Sequence, residues 1–426
     1  MKTKRVPVAV GVSLLFVLPL LLPQSLVNAS IQVLIAALFA LAFNLLCGQG
    51  GMLSFGHAAF FGAGAFGTVH AMSAVGGMGL MPTPLLPLAG AVMGLACGGV
   101  AGWFATKRTG VYFAMITLAL AELLHSLAPH LEGVFGGEAG VSAMRMPSMG
   151  LTFGTTAHVY YLVLIWVLVS AALLYFYTQT PVGRLTIGLR ENTNRLRFLG
   201  YDVHRVSVLA FAVSAMFSGI AGGLQVLNNE AANYVVFDAQ LSAAVVINSY
   251  IGGVKVFLGP ALGAALMTFF SYTVSDLTRS WLLYQGIVFV LVMMFAPSGL
   301  AGMFTWWNVS RRAQRASAVL PVMALSIVAF ALLSAGTVFT VELLQRLFSQ
   351  DYRALASLNA AATGWPPVAF LGRDWTPASF ITWVIPAVIL GSGALAARAA
   401  RARWLAGKAL LADQHPTADN IDGLKR

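Results

Sequence analysis

The chain has 426 residues, 58% of them hydrophobic and only 9% charged, with a mean hydropathy of +0.81. A soluble domain carries roughly 25% charged residues, so the composition excludes one and describes an integral membrane protein. The net charge of +11 does not point to nucleic acid, because the basic residues sit in short loops between apolar runs and at the two ends, the pattern of membrane orientation rather than of a phosphate-binding face.

About 20 largely apolar residues, rising 1.5 Å each, cross roughly 30 Å of hydrocarbon. By that measure the sequence predicts about twelve spans, near 7–23, 30–47, 57–74, 85–105, 110–128, 157–178, 205–227, 239–255, 259–277, 281–296, 317–341 and 377–397. The expected fold is all-α, a polytopic membrane protein of about 12 transmembrane helices. The first run, preceded by Lys2, Lys4 and Arg5 and followed by Val27-Asn28-Ala29, also fits a signal peptide. With the amino terminus inside and one crossing per span, 20 of the 25 Lys and Arg residues fall on the inner side. Arg145, Arg279, Arg346, Arg353 and Arg373 remain outside. That bias follows the positive-inside rule and places both termini in the cytoplasm.

The second span does not end in a clean loop but runs on as NLLCGQGGMLSFGHAAFFGAG, residues 44–64. Glycines among apolar residues, with Gln49, Ser54 and His57, predict a helix broken at membrane depth. Irregular backbone is tolerated there only where protein buries it or a cavity is lined by it, and broken helices turn amide ends toward polar cargo. The same glycines fit close helix packing, and a lone His57 fits a hydrogen-bonded structural role. Cys47 and Cys97 lie in apolar runs with no metal-ligand or disulfide spacing.

In the fifth span Glu122 has His125 three residues on, hence on one helix face. An unpaired carboxylate at the bilayer centre costs about 2.5–3.5 kcal/mol. Glu122 is therefore expected in the protein interior, protonated, or near the outer interface, as a pathway residue or a packing contact. Two outward segments, 129–156 and 342–376, are too long for tight turns.

Residues 180–205, TPVGRLTIGLRENTNRLRFLGYDVHR, form the one long polar interruption. Pro181 and Gly183 end the run before it. Leu185, Leu189, Leu196 and Leu199 recur at helical spacing among Arg184, Arg190, Arg195 and Arg197, which predicts one short amphipathic helix ended by Gly200. Its basic face belongs on the cytoplasmic side, either as an ordinary orienting loop or as a docking helix. Farther on, GGVKVFLGPALGAA at 252–265, with Gly253 and Gly259, echoes the first broken segment, a pairing that suggests internal duplication. A basic hinge at 307–317 precedes two further spans and a tail from about 403.

No P-loop, H-E-x-x-H or nucleophile-elbow motif occurs. Nothing recommends an enzyme, and no chain of intramembrane acids suggests a proton relay. A transporter of this composition must borrow its energy; the alternative is a self-sufficient channel or ion-coupled carrier for a small polar solute.

Five blocks carry a resemblance: the glycine-rich run from Gly48 with LSFGHAAFFGAGA at 53–65, TGVYFAMITLALAE at 109–122, TPVGRLTIGLRENTNRLRFLGY at 180–201, GGVKVFLGPALGAA at 252–265 and APSGLAG at 296–302. Together, in this order, they resemble the LivM-type permeases, transmembrane subunits of branched-chain amino-acid ABC importers, over about residues 30–304. The resemblance implies a permease core in 1–304, with 305–426 (the hinge, an extra hairpin and a tail) appended outside the family pattern. It implies a bacterial inner-membrane complex with a LivH-type permease, two cytoplasmic ATPase subunits that hydrolyse ATP, and a periplasmic substrate-binding protein. This chain would bind no cofactor itself. By the same resemblance the 180–205 segment is a coupling helix. Arg184, Arg190, Glu191, Asn192 and Gly200 match its pattern, Arg190 and Glu191 make charged contacts, and Leu189 and Leu196 pack into the ATPase groove. Gln49, Ser54, His57, Glu122, Gly253 and Gly259 are the expected translocation-pathway residues, and loop 129–156 faces the loaded binding protein. Relatives of the family serve urea, amides and other amino acids, so the cargo does not transfer with the fold.

Overall fold

The computed structural model describes residues 5–76, 82–147, 152–276, 278, 280–295, 299–302, 316–359, 365–370 and 373–414. Most of the expected hinge at 307–317, and the end of the tail from 415, lie outside the described residues.

A helix forms at each of the twelve apolar runs: α1 (Arg5–Leu21), α2 (Gln24–Asn44), α3 (His57–Gly76), α4 (Pro87–Ala105), α5 (Val111–Leu127), α7 (Thr156–Gln179), α10 (Val203–Asn229), α11 (Ala239–Gly252), α12 (Gly259–Ser275), α13 (Trp281–Phe295), α14 (Ala316–Phe348) and α16 (Phe380–Gln414). Connecting segments add α6 (Glu132–Phe135), α8 (Pro181–Glu191), α9 (Thr193–Phe198) and α15 (Gln350–Asn359). Two short antiparallel ribbons interrupt an otherwise helical fold. Strands β1 (Val141–Ser142) and β2 (Ala231–Ala232) pair Val141 with Ala232; β3 (Val368–Phe370) and β4 (Arg373–Trp375) pair Val368 with Trp375.

Seven helical stretches among the described residues are long and apolar enough to cross a membrane: Gln24–Gln49, Thr83–Ala105, Val111–His130, Thr156–Gln179, Val203–Asn229, Ala324–Phe348 and Phe380–Arg403. The expectation of about twelve full crossings goes beyond that. The 14 residues of α11, for example, span about 21 Å, short of the roughly 30 Å of hydrocarbon. An apolar run in the sequence does not distinguish a full span from a half-length helix that stops at a glycine.

The chain divides into two compact units, Met1–Val274 with Gln285–Phe304, and Ser275–Tyr284 with Thr305–Arg426. In the first, α2 is the hub: Ile31, Leu38 and Phe43 are wholly buried, and α7, α10 and α11 pack around it. Helix α10 lies against α3 and α4 with backbones touching. A Cβ at Gly219 would overlap the Gly90 carbonyl oxygen, and one at Gly64 would overlap the Gly219 backbone. In lipid there is little hydrophobic drive between helices, so such close approach of small residues supplies the attraction.

In the second unit α14 and α16 pair along their length, with Gly336 against Leu390 and Gly393 against Leu333. A small cap joins them: Phe339, Leu343, Tyr352 and Val368 form its core, Trp375 packs edge-on to Phe339 at 4.9 Å, and the Tyr352 hydroxyl donates to the Pro366 carbonyl at 2.8 Å. Glu342, inside the apolar α14, accepts from the Tyr284 hydroxyl at 3.0 Å. Helix α16 continues past the expected span to Gln414.

Candidate functional site

Helix α2 loses its α register at Leu45–Gln49, one π turn. Wide turns of this kind arise where a residue has been inserted into a helix, and they recur at functional sites. Gly51 follows with φ +68°, a left-handed position that favours glycine. The chain then runs irregularly to His57, where α3 begins. Helix α11 ends in the same manner: Gly253 has φ +102°, and a short turn leads to α12 at Gly259.

The two breaks face each other. A Cβ at Gly48 would overlap both the Asn44 Oδ1 and the Val254 carbonyl oxygen, so only glycine lets the segments meet. Cys47 Sγ lies 3.7 Å from the Tyr250 hydroxyl, one turn before the second break. Gly299, with φ +71°, seats against Gly252 and Gly253. Thr117 of α5 accepts at its Oγ1 from the Phe55 amide at 3.2 Å, beside Gly56. Finally, Arg190 at the end of α8 reaches in: its Nη1 donates to the Gly48 carbonyl, and its stem covers Gly51. Segments as far apart as Gly48 and Gly299 therefore converge on one junction, and each of the five sequence blocks contributes to it.

Around this junction several buried polar atoms have no protein partner: Asn44 Oδ1, Gln49 Oε1, Asn248 Oδ1 and Ser249 Oγ. A half-satisfied polar cluster is costly in a packed interior, which suits a junction that changes its packing. Ser54 is wholly buried and its Oγ accepts from the Gly56 amide at 3.3 Å. His57 is buried among Phe39, Phe43, Phe60 and Phe211, with Phe43 at 5.1 Å. Ser214 Oγ gives its one proton to the Ala42 carbonyl at 2.7 Å, so His57 Nε2 donates to Ser214, at 2.8 Å. In this conformation Ser54 and His57 are sealed in the core, and His57 ties α3 to α10. Gly253 and Gly259 are the ends of the second break. Glu122 stands apart. It is exposed on α5, on the face of Met115 and Leu118, rather than in the interior; His125, one turn on, stacks against Tyr234 at 5.5 Å.

The 180–205 segment differs from the expected single helix. Asn192 breaks it into α8 and α9: at φ −162° its Oδ1 accepts from the Arg195 amide at 3.0 Å and caps α9. Thr180 caps α8 in the same way through the Gly183 amide at 3.1 Å. Gly200, at φ +85°, ends α9, with the Tyr201 amide returning to the Leu196 carbonyl at 3.1 Å. Leu189 and Leu196, expected to face a partner, are buried within this chain, Leu196 against Gly188 at the bend. The apolar residues left outside are Phe198, 91% exposed, Leu199 and Tyr201, among exposed Arg184, Glu191, Arg195 and Arg197. Phe198 is out of phase with Leu185 and Leu189, and that phase break is the sequence signal which marks it; Leu199 keeps the helical spacing and carries no such signal.

Among known proteins, the family described as branched-chain amino acid transport system / permease component matches residues 25–297. The high-affinity branched-chain amino acid transport system permease protein LivM of Escherichia coli is 27% identical over 309 residues, covering 67% of this chain and 72% of the relative. A probable branched-chain amino acid transport permease protein LivM of Methanocaldococcus jannaschii is 24% identical over 296 residues, 62% of this chain and 84% of the relative. The ribose import permease protein RbsC of Haemophilus influenzae is 30% identical over a shorter stretch of 139 residues, 31% of this chain and 43% of the relative. No solved structure matches the chain.

Proposed function

Because the chain belongs to the family of permease components of branched-chain amino-acid transport systems, we propose that it is the transmembrane subunit of an ATP-driven importer for branched-chain or related amino acids. A transport permease of this family is a multi-pass membrane protein and carries no catalytic machinery of its own. The proposed complex holds a LivH-type permease, two ATPase subunits on the cytoplasmic side and a periplasmic binding protein, in the inner membrane, with both termini inside.

The observation that carries the reading is the contact of Arg190 with Gly48. Segment 180–202 presents exposed apolar Phe198 and Leu199 and also exposes Arg184, Glu191, Arg195 and Arg197. This is the composition of a hot spot for a groove with an acidic rim. The same segment grips the first helix break through Arg190. A displacement of α8 by a docked ATPase thus acts directly on Gly48 and, through it, on Val254 across the junction. Opening the junction exposes broken-helix amides and carbonyls, from Gln49 to Ser54 and from Gly253 to Gly259, which shield an amino-acid zwitterion without fixed charge.

Reconstitution tests this. Purified chain alone in liposomes is expected to give no uptake, and the complex with its ATPase subunits to give uptake that stops without ATP. Transport by the chain alone would make it a self-sufficient carrier instead.

A further inference from the structure

Helix α10 is continuous for 27 residues, about 40 Å, and is fixed at three levels. At its start Asp202 Oδ1 accepts from the His204 and Arg205 amides at 2.9 and 3.2 Å, directly after α9, and His204 Nδ1 meets Thr106 Oγ1 of the segment after α4 at 3.1 Å. Midway Ser214 ties it to Ala42 of α2 and to His57, the residues flanking the first break.

At its end it holds the 129–147 loop. Glu230, at φ 57°, closes the helix, and its Oε1 accepts from both the backbone amide and Nε of Arg145, at 3.0 and 2.9 Å. Arg145 Nη1 donates to the Leu227 carbonyl at 2.8 Å, the Ala143 amide to the Glu230 carbonyl at 3.0 Å, and β1 pairs with β2 just beyond. Between these levels the glycine contacts with α3 and α4 leave no slack for the helix to bend or rotate alone.

We infer that α10 is a transmission rod between the two faces, and that Arg145 and Glu230 are positioning residues by which an event at the 129–147 loop reaches the segment that docks the ATPase. The inference rests on the function proposed above. It adds that the partner arriving at the far end, a loaded solute-binding protein, is sensed through the loop's attachment to α10. Neither side chain need touch that partner: Arg145 is largely buried and spends three donors on α10 itself.

The test uses the whole complex in nanodiscs and reads two quantities, the affinity of the loaded binding protein and its stimulation of ATP hydrolysis. Glu230→Gln keeps the backbone contacts and removes the charge; Arg145→Ala removes the two side-chain hydrogen bonds, one of them the ion pair, and keeps the backbone amide donor. The expected result is affinity within about threefold of the native complex and stimulation reduced at least fivefold in both variants. Stimulation that survives in both, or that falls only in step with affinity, overturns the inference. If the ATPase subunits fail to assemble with the native chain, the proposed function falls, and that outcome is seen before any variant is measured.

Discussion

Arg190 donates from Nη1 to the carbonyl oxygen of Gly48, joining positions 142 residues apart. A guanidinium on a carbonyl is a charge-assisted bond, stronger than a neutral one. Here it links an exposed segment to the point where the buried helix α2 comes apart.

Gly48→Ala places a methyl group onto Asn44 Oδ1 and the Val254 carbonyl. Overpacking of this kind costs about 1–3 kcal/mol, and here it separates the two breaks. Thermal unfolding in detergent should show the loss, and uptake should fall with it. An unchanged melting temperature would mean that the breaks do not seat against each other.

Phe198→Ala should leave the fold intact, because the side chain touches little of its own chain. Losing an interface aromatic typically costs about 2 kcal/mol or more, roughly a 30-fold weaker association with the ATPase subunit, measurable by titration of that subunit onto nanodiscs. Leu196→Ala should behave in the opposite way. Leu196 is buried at the bend, so truncation costs about 2–5 kcal/mol of stability and disturbs docking only through misfolding.

Asn192→Ala removes the cap of α9, worth about 0.5–2 kcal/mol. Asn192→Asp keeps the acceptor and should restore most of it. Hydrogen exchange of the amides of Thr193–Phe198 reports the difference directly, with faster exchange expected in the alanine variant alone.

Ser214→Ala strands the His57 Nε2 proton in an aromatic cage, a cost of about 1–3 kcal/mol. The account expects lower stability with unaltered apparent affinity for the cargo. A shift in affinity without a loss of stability would instead put His57 in contact with what is transported.

Much of this site was legible in the sequence because glycine, proline and charge mark where apolar helices must stop. Both breaks, the polar 180–205 segment and Gly299 within its block are visible in that way. Long-range partners are another matter. Nothing local says that Arg190 turns inward, or that Arg145 finds Glu230 85 residues on, since both look like ordinary loop charges. The direction of an amphipathic face is equally hidden. Leu189 and Leu196 have the spacing of a docking surface, yet bury themselves at the bend that Asn192 creates. That bend escapes a periodicity reading because the leucines keep helical spacing across it, even though Asn192, Thr193 and Asn194 are weak helix formers and Asn is a good cap. Of the three placements expected for Glu122, the fold excludes the interior and leaves the carboxylate on an outer face of α5.

The most direct test replaces Arg190 with Met, which keeps the stem over Gly51 and removes the donor to Gly48. ATP hydrolysis and amino-acid uptake are then followed in the same proteoliposomes. The account predicts an assembled complex that still hydrolyses ATP while uptake falls below about a tenth of native, a loss of about 1.4 kcal/mol or more in effective coupling. Uptake that stays at the native level, or that declines only in proportion to hydrolysis, would contradict it.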